Sequence, residues 1–317
     1  MKLNKFSTLL TIALSSSLVT TSQAAINFVF DYSDSSNGAL WTSDRKAALE
    51  RSASVLEGLF SNYTASIEIE VKSENNAGSS TLASAGSNDF VPSYTPGFSN
   101  SDVVMNEILT GSDANGAGFD GVVNVNWGHS WDTSVISSGV SPTAFDLEST
   151  MTHELLHAVG FLSTISQTGT DVFGNTTAGD WNPFDQHVGN SSGLLINQTN
   201  FDINQSGFTS SLVGGAGMAG LSFQGANAMA ANGGNAVFLY SPTSFEEGSS
   251  GSHLDDEHGP YNFIMEASTD TGGGIRGVSA VELAILRDIG YTQIVPEPST
   301  GLLVSFSASF LLLRRRR

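Results

Sequence analysis

The chain has 317 residues, with 31 Asp and Glu against 12 Lys and Arg and no cysteine. Lys2, Lys5 and Arg314 to Arg317 sit at the extreme ends, so the body keeps only Arg45, Lys46, Arg51, Lys72, Arg276 and Arg287. That leaves no basic patch for phosphates and argues against a nucleic-acid partner. Without cysteine there are no disulfides, no thiolate nucleophile and no cysteine-held zinc, so any metal must be bound by His, Asp or Glu. The acidity has two readings: simple solubility, or calcium (Ca2+) held in Asp-rich loops, because hard cations take oxygen ligands.

Residues 1–24 read as a secretory signal peptide. Lys2 and Lys5 form its charged start, 6–19 is apolar or small, and Ser22-Gln23-Ala24 offers small residues at a cleavage site. The alternating segment 26–32 predicts a first strand, so no long propeptide is expected before the body. A helix is predicted over 43–59, capped by Ser43, with Ala47, Leu49, Ala53, Val55, Leu56 and Phe60 as its apolar stripe. Strict alternation predicts a strand over 65–71. A second helix is expected over 99–109, capped by Asn100 or Ser101, and another strand over 121–127. This strand–helix–strand opening suggests an α/β sheet; the fold class expected for the whole chain is α+β, with an N-terminal twisted mixed sheet.

The next helix, predicted over 146–162 with Asp146 as N-cap, carries His153-Glu154-Leu155-Leu156-His157. Residues i and i+4 share a helical face, so both imidazoles aim at one point. Glu154 lies where it can take a proton from a metal-activated water, and the pattern implies zinc-dependent hydrolysis. From 163 to 252 the chain is rich in Gly, Ser and Asn, with strand-like pieces at 221–223 and 236–240. Trp181, Phe184, Phe201, Phe208 and Phe223 supply anchors for a loop-rich second subdomain. A last helix is expected over 278–289, stopped by Gly290.

A catalytic zinc site needs a third protein ligand and an open position. The run His153 to Phe161, HExxHxxGF with Gly160, resembles the metzincin metallopeptidases. Their motif continues to a third His or Asp three residues after the Gly; here that position is Ser163, a poor ligand. The first candidate is therefore His253, followed after twelve residues by Met265, which resembles the metzincin Met-turn. A distant third His after a long insertion resembles the leishmanolysin branch. Alternatives are His187 or a carboxylate, Glu246, Glu247 or Glu257. His258 reads as a surface or supporting residue, and His129 as a loop residue. No Tyr follows Met265 closely, so the tyrosine ligand of some metzincins is not expected.

The resemblance spans roughly 120–291 and implies an endopeptidase. On that reading one Zn2+ would be held by His153, His157 and His253, Glu154 would be the general base, and a peptide substrate would add along the strand 122–127 as an upper edge. It divides the chain into a signal peptide (1–24), a catalytic subdomain (25–164), a subdomain with the third ligand and Met-turn (165–292) and a tail (293–317). In that tail Pro296-Glu297-Pro298, the apolar run 301–313 and four arginines resemble the PEP-CTERM sorting signal. The run is about 20 Å long as helix, short for a span. The signal implies processing by an exosortase, export to the surface of a Gram-negative bacterium, and membrane contact only through this segment. Two rival readings remain: a non-catalytic surface or matrix protein on a metallopeptidase scaffold, and a metal hydrolase acting on something other than peptides.

Overall fold

The computed structural model describes residues 26–33, 38–91, 93–215, 217–256 and 263–295. The signal-peptide segment, Glu257 and His258, and the sorting tail from Pro296 onward lie outside the described residues. The elements are β1 (Ile26–Asp31), α1 (Ser43–Leu59), β2 (Ala65–Glu74), β3 (Ala83–Ser87), β4 (Phe90–Val91), β5 (Ser101–Asp102), α2 (Val103–Thr110) and β6 (Gly121–Asn126). There follow β7 (Trp131–Asp132), β8 (Phe145–Asp146), α3 (Leu147–Ala158), β9 (Val188–Asn190), β10 (Gly193–Leu194) and α4 (Gln205–Leu212). The chain closes with β11 (Ser222–Phe223), α5 (Ala226–Ala231), β12 (Val237–Phe238) and α6 (Ala280–Asp288). The architecture is α+β. Among the described residues no helix is long and apolar enough to cross a membrane.

The main sheet has the order β1-β2-β6-β3; β1, β2 and β6 run parallel and β3 antiparallel. Strand alternation sends Phe28, Ile67, Ile69, Val71, Val123 and Val125 to one buried face. There they join Leu49, Ala53 and Leu56 of α1 and Met151 and Leu155 of α3 in one hydrophobic cluster. Each buried Val, Leu, Ile, Phe or Met side chain among them contributes about 1.5–3 kcal/mol. A smaller antiparallel sheet, β10-β9-β11-β12, organises the second half.

Four sequence expectations need correction. The strand 122–127 is not an edge: β6 is paired on both sides, and the edge is β3. The second helix starts at Val103 rather than 99, because residues 101–102 pair with β4 and Asp102, not Asn100 or Ser101, accepts the Met105 N–H as N-cap. Helix α1 is entered from Thr42, so Ser43 is its first helical residue rather than its cap. Helix α3 stops at Ala158 instead of 162, for the reason given next.

Candidate metal centre

Helix α3 begins with the side chain of Asp146 accepting the Ser149 N–H. Arg276 clamps Asp146 with Nε and Nη2 at 2.9 Å and also pairs with Glu148, which Arg51 of α1 contacts as well. At the other end Gly160 takes φ +93°, a left-handed conformation that suits only glycine without strain. The Gly160 N–H then returns to the His157 carbonyl and the Phe161 N–H to the Leu156 carbonyl, at 3.0 and 3.1 Å. This is the Schellman pattern of helix termination. Its consequence is local: the Phe161 carbonyl folds back and accepts the Nδ1–H of His157 at 2.8 Å. Gly160 therefore shapes the orientation of the second histidine.

The third histidine comes from the segment after β12. The Tyr240 N–H reaches the His253 carbonyl, the Asp255 N–H the Phe238 carbonyl and the Leu254 N–H the Met265 carbonyl. This backbone ladder fixes His253, and its Nδ1–H donates to the Ser249 carbonyl at 3.0 Å. His153 donates its Nδ1–H to the Ile264 carbonyl at 2.6 Å. Met265 itself is fully buried, and its N–H is held at 2.9 Å by Glu282 Oε1 of α6.

With each Nδ1 carrying a donated proton, each neutral ring presents an unprotonated Nε2. The three Nε2 atoms face one another: His153 to His253 and His157 to His253 at 3.0 Å, His153 to His157 at 3.1 Å. Burial lowers the pKa of all three rings, holding His157 well below the usual range and His253 at about 3. For His157 the neighbouring His253 and His153 add to the effect. Three lone pairs converging at this range repel unless a cation lies among them. Tetrahedral zinc with Zn–N near 2.0–2.1 Å separates its nitrogen ligands by about 3.3 Å. The triangle is a few tenths of an ångström tighter, and the donor set fits zinc with one open position.

Beside the histidines, Glu154 is 7 % exposed. Burial pushes its carboxyl up to about 8, opposed by a hydrogen bond from the backbone of Ala85 on β3. The edge strand thus faces the carboxylate of the motif.

The other candidates are placed elsewhere. Ser163 donates its hydroxyl to the buried Asp185. His187 donates Nε2–H to the Asp288 carbonyl and lies against Phe223. Glu246 and Glu247 are exposed, Glu246 accepting from Tyr240, and His129 sits edge-on to Phe145. A cavity of about 710 Å3 bordered by Asn190, Gln224, Phe238 and Asp255 includes none of the three clustered histidines nor Glu154. Sequence reasoning missed Glu282, although Ser279-Ala280-Val281-Glu282 carries the spacing of a capping box, and both of its reciprocal hydrogen bonds are present. No protein-family model, curated protein or solved structure matches the chain.

Proposed function

We propose that the chain is a zinc-dependent endopeptidase of metzincin type. The observation that carries this reading is the convergence of three Nε2 atoms, each oriented through an Nδ1–H···O=C bond, beside one buried carboxylate. Such carbonyl partners fix the tautomer and ring orientation that a metal ligand needs. His153, His157 and His253 would hold the ion, with Met265, whose carbonyl accepts the Leu254 N–H, as the Met-turn. A zinc ion there supplies Lewis acidity and makes a water nucleophilic near neutral pH.

The charge of a bound ion would favour the ionised form of Glu154 against the burial that raises its pKa; that carboxylate would take the proton of the attacking water and pass it to the leaving amine, so that a C–O bond forms as the C–N bond breaks. The outer edge of β3, not β6, offers backbone groups along which a peptide substrate lies as an added strand. Export, exosortase processing of the tail, surface or extracellular location and the division into subdomains at 164/165 belong to the same proposal.

Glu154→Ala should abolish casein hydrolysis while the purified chain still carries one zinc. Undiminished hydrolysis by that variant would sink the assignment. A wild-type chain that binds zinc but cleaves nothing across a peptide panel would instead support the non-catalytic surface or matrix role. Hydrolysis of a non-peptide substrate by the same chain would support the third reading.

A further inference from the structure

A second group of ligand-type side chains lies on other elements. Glu107 of α2, Asp113 of the following loop and Asp120 at the entry to β6 each offer a carboxylate oxygen, all within 4.8 Å of one another. Asp113 is exposed, but Asp120 is buried and Glu107 is only 6 % exposed. Glu107 Oε1 accepts the Ser66 N–H at 3.3 Å, while Oε2 is buried with no hydrogen-bond partner. Asp120 Oδ2 accepts the Glu68 N–H at 2.7 Å. The loop carries another orphan: Asn115 donates Nδ2–H to the Gly118 and Phe119 carbonyls, and its Oδ1 is buried without a partner.

Among the described residues no Lys or Arg forms an ion pair with any of the three acids. An unpaired buried carboxylate oxygen is strongly unfavourable unless a cation or a proton meets it. Burial, and then the charge of Asp120, push the Glu107 carboxyl up to about 7, and a side-chain hydrogen bond between Glu107 and Asp120 adds to the rise, so a proton shared by the two carboxyls is the rival occupant.

We propose that Glu107, Asp113 and Asp120 form a calcium site. Every donor is oxygen, which selects a hard cation. Ca2+ accepts irregular sets of oxygen ligands, whereas Mg2+ demands a near-ideal octahedron at about 2.0–2.1 Å; a helix residue, a loop residue and a strand-entry residue form an irregular set. The ion would pin the C-terminal half of α2 to β2 and to the entry of β6. The opposite end of α2 backs the metal helix: a Cβ on Gly160 would meet Met105 Sδ at 3.1 Å and Asp102 Oδ2 at 3.3 Å. Calcium therefore supports the turn that orients His157 without touching the histidines.

The test is calorimetric titration of the zinc-loaded full chain with CaCl2, and in parallel with MgCl2, alongside Asp113→Asn, Glu107→Gln and the distant control Glu247→Gln. Saturable binding of one Ca2+ is expected, weakened at least about tenfold in the first two variants and unchanged in the control. Asp113→Asn keeps a side-chain oxygen for the Asn115 and Gly116 N–H groups that Asp113 Oδ1 accepts, so that variant should fold, as circular dichroism would check. No saturable Ca2+ binding, unchanged affinity in both variants, or preference for Mg2+ would overturn the proposal. Because binding is read directly, the result does not depend on whether the chain hydrolyses peptides.

Discussion

Replacing Glu282 by alanine isolates the support beneath the histidines from the histidines themselves. Glu282 Oε2 accepts the Ser279 N–H at 2.8 Å, closing the capping box of α6, and Oε1 accepts the Met265 N–H at 2.9 Å. Met265 and Ile264 in turn present the carbonyls that fix Leu254, next to His253, and the ring of His153. Loss of the cap costs about 1 kcal/mol, and an unsatisfied buried Met265 N–H about 1–3 kcal/mol. The sum of about 2–4 kcal/mol, at about 2–4 °C per kcal/mol for a domain of this size, lowers Tm by about 4–16 °C. Support of this kind also sets metal affinity, with losses of about 10–100-fold where it acts on a ligand directly. Acting one step further away, Glu282→Ala should weaken zinc about tenfold in competition with a fluorescent chelator. Ser279→Ala removes the cap alone; it should cost about 1 kcal/mol and leave zinc affinity unchanged. Equal zinc affinity in the two variants would refute the idea that Glu282 acts through Met265 on the metal centre.

His253→Ala should weaken zinc by about 100-fold or more, whereas His187→Ala should leave metal content intact; equilibrium dialysis separates the two. Gly160→Ala forces a Cβ into a left-handed turn at about 1–2 kcal/mol and against Met105, so thermal unfolding should fall by several degrees, with zinc affinity falling in step as the Phe161 carbonyl shifts. Arg276→Met leaves the buried Asp146 unpaired and should destabilise the fold by about 3–5 kcal/mol in urea titration. Zinc at about 1,000 times its Kd should stabilise the stripped protein by about 4 kcal/mol, and a chelator should reverse that shift; an unchanged Tm would count against metal binding.

The helix bearing His153 and His157 was legible because its apolar positions recur at helical spacing, but its end was not: the prediction ran through Gly160 to 162, where the left-handed turn at Gly160 closes the helix at Ala158. The meeting with His253 was legible only through its ligand chemistry and the Met265 that follows it, which resembles a Met-turn, since 96 residues separate His157 from His253 and no local pattern links them. Edge strand β3, Ala-Ser-Ala-Gly-Ser, has no β-branched or alternating signal; its pairing with β6 creates it. Helix α4 hides in Gln-Ser-Gly-Phe-Thr-Ser-Ser-Leu, whose residues are weak helix formers. Asn204, which caps it through the Gly207 N–H, was the available cue. The shift of α2 to Val103 has the same origin: short pairing with β4 claims residues that a helix pattern would extend into.

The separation of His157 from His253 has a consequence in time. At a synthesis rate of about 5–20 residues per second, a growing chain displays the HExxH helix for about 5–20 s before the third imidazole leaves the ribosome. The Ile264 carbonyl that sets the ring of His153 arrives later still. On the function proposed above, the nascent chain carries two loosely oriented histidines and cannot cleave its neighbours. Delay along the chain would then do, during synthesis, the work that a cysteine latch does in other peptidases; this sequence has no cysteine.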